Sequence, residues 1–124
     1  MYFTSKINNI LFIAEVGSNH EGNFIEAKKT VLSACKSNAD VVKLQIYTAK
    51  NMVSPKYDLK RFKHFQKLEL SIKQNIELCK IIKNNKKKCS ASIWDVDQIK
   101  IFNKYIDIYK IGSGDIHNFE IIKK

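Results

Sequence analysis

Several polar side chains occur where the sequence is otherwise apolar and β-branched, and their types could bind an anion. Lys43 and Gln45 alternate with aliphatic residues in "ADVVKLQIYT", and Lys110 has apolar neighbours on both sides. Successive strand residues point to opposite faces, so Lys43, Gln45 and Tyr47 share one face and the aliphatic residues at 42, 44 and 46 share the other. A buried lysine needs an anionic partner. We therefore expect these lysines to face either Glu15 or a bound phosphate or carboxylate.

Other polar residues stand near the carboxyl ends of the predicted strands. Glu15 stands at the end of the first strand, Ser90 and Ser92 lie in the third, and Ser113 follows Lys110 in the fourth. The site of a (β/α)-barrel enzyme is built at this end of its strands. The alternative is that each residue only reaches solvent where its strand ends. Glycines flank Ser113 and would let backbone N–H groups approach an anion, but the sequence contains neither a dinucleotide-binding nor a P-loop glycine motif.

The elements that would position these residues alternate along the chain as β-α-β-α-β-α-β-(α). Apolar patterning predicts strands over 9–15, 39–48, 89–94 and 105–113. Helices are predicted from an N-cap at Asn23, from the capping box of Ser71 and Gln74, from Asp95 to about Asn103, and within "HNFEIIKK". The segment 47–70 has no clear periodicity and is predicted to be a loop. Alternation of this kind implies a parallel sheet with right-handed crossovers, either doubly wound or part of a (β/α) barrel.

Length and composition are those of one globular domain of 124 residues with a formal net charge of +10. A nucleic-acid-binding role is disfavoured because Arg61 is the only arginine and the lysines are spread along the chain. The three cysteines are scattered without ligand spacing, which indicates structural thiols rather than a zinc site or disulfides. The apolar run "NILFIA" is too short for a signal peptide, and no run approaches the roughly 20 residues of a membrane span. We therefore expect a cytoplasmic location without membrane association.

Four motifs together resemble a known family. In order and spacing, "IAEVGSNHEGNFIEAKK", "ADVVKLQIYTA", "SASIWD" and "YKIGSGDIHNFEII" are similar to the N-terminal half of the sialic acid (N-acetylneuraminate) synthases, which include legionaminate and pseudaminate synthases. The resemblance implies an α/β fold forming about four βα units of an eight-unit TIM-type barrel, with residues 1–124 as its N-terminal half and no second domain. It also implies condensation of phosphoenolpyruvate with an N-acetylated hexosamine, such as N-acetylmannosamine, with release of phosphate.

The resemblance also assigns roles to individual residues. Glu15 corresponds to a catalytic glutamate near the reacting carbons and a metal-bound water, and Asp115 to an acidic residue near the sugar. The positions implied to bind substrate are Lys43, Gln45, Ser92, Lys110, Ser113 and Asp115. Ser92 stands where many members have threonine, and Asp115 where many have glutamate. A divalent metal, Mn or Mg, is implied, but the family's histidine ligands lie beyond this chain, so no metal ligand is assigned here.

A full barrel needs about 250 residues, so the resemblance implies a truncated gene, a split gene or a fragment. A homodimer or a complementing C-terminal half is then the expected partner, because four βα units expose two strand edges. Alternative functions are a non-catalytic half-barrel remnant, another phosphoenolpyruvate aldol-type 3-deoxy-sugar synthase, or a basic nucleic-acid binder. Two hypotheses concern loops: that 47–70 draws in anionic substrate rather than being merely solvated, and that His20 organises its turn by hydrogen bonding.

Overall fold

The computed structural model describes residues 10–124, which form one parallel four-stranded sheet with helices. The strands are β1 (Ile13–Glu15), β2 (Val41–Ile46), β3 (Lys88–Ile93) and β4 (Ile108–Tyr109), and they lie in the order β1-β2-β3-β4. The helices are α1 (Phe24–Lys36), α2 (Ala49–Met52), α3 (Leu59–Leu68), α4 (Ile72–Asn84), α5 (Val96–Phe102) and α6 (Phe119–Ile122), with a 3₁₀ turn at Ser113–Asp115. The sequential strand order with parallel pairing confirms the predicted α/β fold of about four βα units.

Helix boundaries follow the capping residues that the sequence indicates. The Asn23 side chain accepts hydrogen bonds from two backbone N–H groups at the start of α1. Ser71 and Gln74 form both hydrogen bonds of the predicted capping box at α4, and Asp95 caps α5. These bonds satisfy backbone donors that the first helical turn leaves without partners, so the capping residues determine where the helices begin. The predicted starts of α1, α4 and α5 are confirmed.

The prediction of a loop over 47–70 is wrong, because α2 and α3 lie within it. Asp58 begins α3 by accepting a hydrogen bond from the backbone N–H of Arg61. No residue of α3 is fully buried. Its apolar side consists of Phe62, Phe65 and Leu68, which are half-buried. Apolar periodicity is a weak indicator for a short helix that lies on the surface, which explains the error.

The first and last predicted strands are much longer than the observed ones. Of 9–15, only Ile13–Glu15 pairs with β2, and Asn9 lies outside the described residues. Of 105–113, only Ile108–Tyr109 pairs with β3. Both are the edge strands of the sheet, where one side of the backbone has no neighbouring strand to extend the pairing.

The core lies between the helices and one face of the sheet. Its most buried members come from β2, β3, α1 and α4 and include Val31, Val42, Cys79, Ile82 and Cys89. All three cysteines are buried free thiols, as the sequence predicts. The opposite face of the sheet carries polar residues toward the carboxyl ends of the strands, with Ile13 and Val41 nearer their amino ends. Within residues 10–124, no helix is both long enough and apolar enough to cross a membrane.

Candidate functional site

The strand register aligns polar residues from neighbouring strands on the sheet face that is turned away from the core. Glu15 is paired with Lys43, and Lys43 is paired with Ser90. One pleat further toward the carboxyl ends, Gln45 is paired with Ser92. The backbone N–H of Lys110 donates to the carbonyl of Ala91 at 2.9 Å, which places Lys110, just after the last strand, next to this second row. Residues distant in sequence thus lie close together at the carboxyl ends of the strands.

Glu15 and Lys43 form the ion pair at the centre of these rows. Lys43 Nζ donates to Glu15 Oε1 at 2.5 Å, and Gln45 Nε2 donates to the same oxygen at 3.2 Å. The Lys43 side chain is only 8% exposed whereas that of Glu15 is 54% exposed. The buried ammonium therefore has the anionic partner that the sequence analysis requires, and the carboxylate is open to solvent.

The pKa of Glu15 is lowered from its ordinary value. The largest cause is the hydrogen bond from Lys43, followed by that from Gln45, and these outweigh the opposing effect of burial. The charge of Lys110 also contributes through space. Glu15 is therefore a carboxylate near neutral pH, so it can accept a proton or a hydrogen bond from a ligand but does not carry a proton to donate.

The remaining predicted site residues differ in their surroundings. Ser92 is buried on β3, beside Gln45. The expectation that Lys110 is buried is wrong: its side chain is exposed, because it follows a two-residue edge strand. Ser113 is also exposed, and half-buried Asp115 follows it in the 3₁₀ turn. The structure thus brings Glu15, Lys43 and Gln45 into direct contact and leaves Ser113 and Asp115 without hydrogen bonds to them.

The turn that follows β1 is organised by His20 and Gly22. Gly22 has a φ of +80°, and its N–H donates to His20 Nδ1 at 3.0 Å. An imidazole nitrogen that accepts a hydrogen bond carries no proton, so the His20 ring is neutral in this arrangement. Burial of the ring lowers the pKa of His20. The hypothesis that His20 organises the turn by hydrogen bonding is confirmed. Glu21, with a φ of +49°, completes the reversal of the chain before α1.

Tyr47 joins this turn to α3, a role that the sequence analysis did not assign. Its hydroxyl shares a hydrogen bond of 3.3 Å with Ser18 Oγ. Its ring makes edge-to-face contacts with Phe65 on α3 and with Trp94 after β3, with centroids 5.6 and 6.2 Å apart. Tyr47 follows Lys43 and Gln45 on the same alternation, which is the feature that could have marked it as part of the site.

The described residues do not provide a metal site. Residues 10–124 contain no group of three or more His, Cys, Asp or Glu side chains placed to hold an ion. His20 Nδ1 already accepts a hydrogen bond, while His64 lies beside Phe65 and, like His117, is exposed. The donor set of these residues therefore does not fit a divalent metal by itself.

A parallel sheet of successive βα units, with polar groups gathered at the carboxyl ends of its strands, defines the class of (β/α)-barrel-type proteins. Within that class, the chain belongs to the NeuB family, whose model matches residues 30–124. This confirms the family resemblance of the sequence motifs.

Three comparisons show how far the similarity extends. The chain is 37% identical to the N,N'-diacetyllegionaminic acid synthase of Campylobacter jejuni, over 92% of this chain and 38% of that protein. It is 28% identical to the N-acetylneuraminate-9-phosphate synthase of Drosophila melanogaster, over 95% and 35%. Its fold matches the N-acetylneuraminic acid synthetase of Leptospira borgpetersenii with a TM-score of 0.83 and 24% identity, over 94% and 41%. The chain therefore spans about two fifths or less of the length of these proteins.

Proposed function

We propose that this chain supplies the phosphoenolpyruvate-binding half of a synthase that condenses phosphoenolpyruvate with an N-acetylated hexosamine and releases phosphate. The product would be a sialic-acid-type nonulosonate. The observation that carries the proposal is the contact of Glu15 with Lys43 and Gln45 at the carboxyl edge of a NeuB-family sheet. The names of the relatives, legionaminic acid synthase and N-acetylneuraminate-9-phosphate synthase, support this class of reaction.

The basic and hydroxyl groups suit a ligand that carries both a phosphate and a carboxylate. Lys43 and Lys110 would offset its negative charge, and Ser92 and Ser113 would donate hydrogen bonds to its oxygens. Lys43 is held in place by burial, so binding requires little reorganisation of its side chain. A ligand anion would share the Lys43 ammonium with Glu15, or displace one of its contacts.

Glu15 would act as the acceptor in this reaction. Its lowered pKa keeps it ionised, and because its side chain is about half exposed, it would be able to contact a second substrate. There it would orient the water that adds to the phosphate-bearing carbon, or take up the proton that this water loses. In the same reaction the methylene carbon of the enol bonds to the sugar's carbonyl carbon, the carbonyl oxygen takes up a proton, and phosphate leaves. Asp115 is the proposed contact for the sugar, and its position in the 3₁₀ turn at the same sheet edge is compatible with that role.

We further propose that these βα units function as the N-terminal half of a barrel, completed by a C-terminal half or a second copy of this chain. Large apolar side chains are exposed beside both edge strands, including Phe12 and Ile13 at β1 and Ile111 and Phe119 beyond β4. Additional strands would cover them. The family's divalent metal, Mn or Mg, would be bound by that other half. The same exposed surfaces support the alternative of a remnant that binds or assembles without catalysis.

The test is phosphate release from phosphoenolpyruvate with Mn²⁺ and N-acetylmannosamine, measured for the chain alone and co-expressed with the C-terminal half of a relative. Release that depends on the sugar and is lost in Lys43→Ala, but not in the exposed control Lys80→Ala, supports the proposal. No release in either form, together with no binding of phosphoenolpyruvate, overturns it. Release with an aldose phosphate instead of the N-acetylated sugar would favour a 3-deoxy-sugar synthase.

A further inference from the structure

The segment 49–70 carries an excess of positive charge that no nearby acid offsets. It contains six cationic residues and two acidic ones, Asp58 and Glu69. Both carboxylates accept hydrogen bonds from backbone N–H groups, at Arg61 and Ala49. Among residues 10–124, no salt bridge involves this segment, although lysines of both α1 and α4 are paired with acids. Its charge is therefore available to act on molecules outside the chain.

Three of these charges form a stripe along α3. Lys60, Lys63 and Lys67 are spaced by three and then four residues, which places them on one side of a helix. All three side chains are exposed. The stripe therefore runs along the helix from its first turn to its last.

The last turn of α3 lies against the turn that follows Glu15. A Cβ atom at Gly22 would stand 2.1 Å from the backbone carbonyl oxygen of Lys67. The contact of Phe65 with Tyr47 holds the same end of the helix to β2. The positive stripe therefore has a fixed position and ends beside the candidate site, which a solvated loop would not provide.

The stripe is not among the causes of the lowered pKa of Glu15. The charges that lower the pKa of Glu15 belong to Lys43 and Lys110, and no lysine of α3 is among them. A charge that does not shift the pKa of Glu15 can still attract a charged molecule over roughly one Debye length, about 10 Å at 0.1 M salt. Such a group acts on the approach of a ligand rather than on its bound pose.

We propose that Lys60, Lys63 and Lys67 form an electrostatic guide that increases the rate at which a small anionic substrate reaches the site. The substrate class is a molecule bearing phosphate and carboxylate groups. This inference rests on the proposed function, because it assumes that such an anion binds beside Lys43. Charges that line one side of a cleft increase the association rate of an oppositely charged ligand, and salt weakens the effect.

The test compares two triple variants with equal net charge. Lys60→Gln/Lys63→Gln/Lys67→Gln removes the stripe. The control, Lys36→Gln/Lys86→Gln/Lys104→Gln, removes three lysines that lie at or just after the carboxyl ends of α1, α4 and α5, and so at the opposite edge of the sheet. Glutamine keeps the helix propensity of lysine. The association rate of phosphoenolpyruvate is measured by stopped-flow, and its affinity by calorimetry, at two ionic strengths.

We expect the stripe variant to associate roughly tenfold more slowly at about 0.01 M ionic strength and roughly twofold more slowly at about 0.15 M. The control should change by less than about twofold at either ionic strength. Equal losses in both variants, or a loss that salt does not weaken, would overturn the guide. If the unsubstituted chain fails to bind phosphoenolpyruvate, the proposed function fails as well. If Lys43→Met abolishes the binding of phosphoenolpyruvate but the association rate of the stripe variant is unchanged, the guide alone is overturned.

Discussion

The backbone carbonyl oxygen of Lys67 lies 2.1 Å from the place where Gly22 would carry a Cβ atom. This close approach joins the turn after β1 to the last turn of α3. A residue with a Cβ atom would clash with this carbonyl oxygen, so the approach requires glycine. The φ of +80° at Gly22 is a second reason, because residues with a side chain rarely adopt it. The contact thus holds the turn after β1 against α3, a helix that has no fully buried residue of its own.

We predict that Gly22→Ala lowers the free energy of unfolding by at least about 2 kcal/mol, from left-handed backbone strain and displacement of the Lys67 carbonyl. Urea unfolding measures the change. The control is Gly114→Ala, since a Cβ there has no heavy atom within 4 Å and the φ is not positive. It should stay within about 0.5 kcal/mol. Equal effects at both glycines would show that the contact with α3 is unimportant.

Lys43→Met should raise the pKa of Glu15, because the Lys43 hydrogen bond is the largest cause of its lowered value. A ¹³C NMR titration of the Glu15 carboxyl group measures this shift. Lys110→Met should raise the pKa less, since Lys110 acts only through space and is the smallest contributor. A larger shift in Lys110→Met than in Lys43→Met would contradict the assigned geometry.

The same pair predicts a pH dependence of stability. The folded pKa of Glu15 lies below the ordinary value of 4.5, so the unfolded chain takes up the proton first as the pH falls. The stabilisation from the pair is therefore present above about pH 4.5 and is lost as the pH falls through the folded pKa. Chemical unfolding between about pH 6 and pH 3 should show a smaller loss in Lys43→Met than in the unsubstituted chain. Parallel curves would count against the pair.

His20 should produce a second pH effect at higher pH. Burial lowers its folded pKa below 6.5, so the unfolded chain binds this proton first. Stability from neutral His20 is then complete above about pH 6.5 and is lost as the pH falls toward the folded pKa. Asn at this position can still accept from an N–H two residues on but does not titrate. The drop in unfolding free energy between about pH 8 and pH 5.5 should be smaller in His20→Asn, and an unchanged drop would exclude the effect.

Thr48 offers a test of an unpaired polar atom. Its Oγ1 is buried without a hydrogen-bond partner in the described part of the chain, and it does not cap α2. We predict that Thr48→Val, which keeps the shape, stabilises the protein by about 1 kcal/mol because no polar atom remains to be desolvated. Ser71→Ala should have the opposite sign, with a loss of about 1 kcal/mol, because its hydroxyl caps α4. Thermal unfolding of both variants decides, and destabilisation by valine would indicate a partner for the hydroxyl.

Helix starts that depend only on neighbouring residues could be predicted from the sequence. Asn23, Ser71 and Asp95 begin helices through bonds within three residues, so their effect does not depend on the rest of the fold. The alternation around Lys43 and Gln45 likewise decides which face they occupy. The family motifs additionally mark Glu15, Lys43 and Gln45 as site residues.

Only the tertiary structure decided which of those residues meet. The contact of Glu15 with Lys43 depends on the register of two strands that are 28 positions apart in sequence. The position of α3 depends on Tyr47 and on Gly22, neither of which lies within that helix. The exposure of Lys110 follows from its place just after a two-residue edge strand. Side-chain chemistry and helix starts are thus properties of short segments, whereas register, docking and burial arise when distant segments exclude water together.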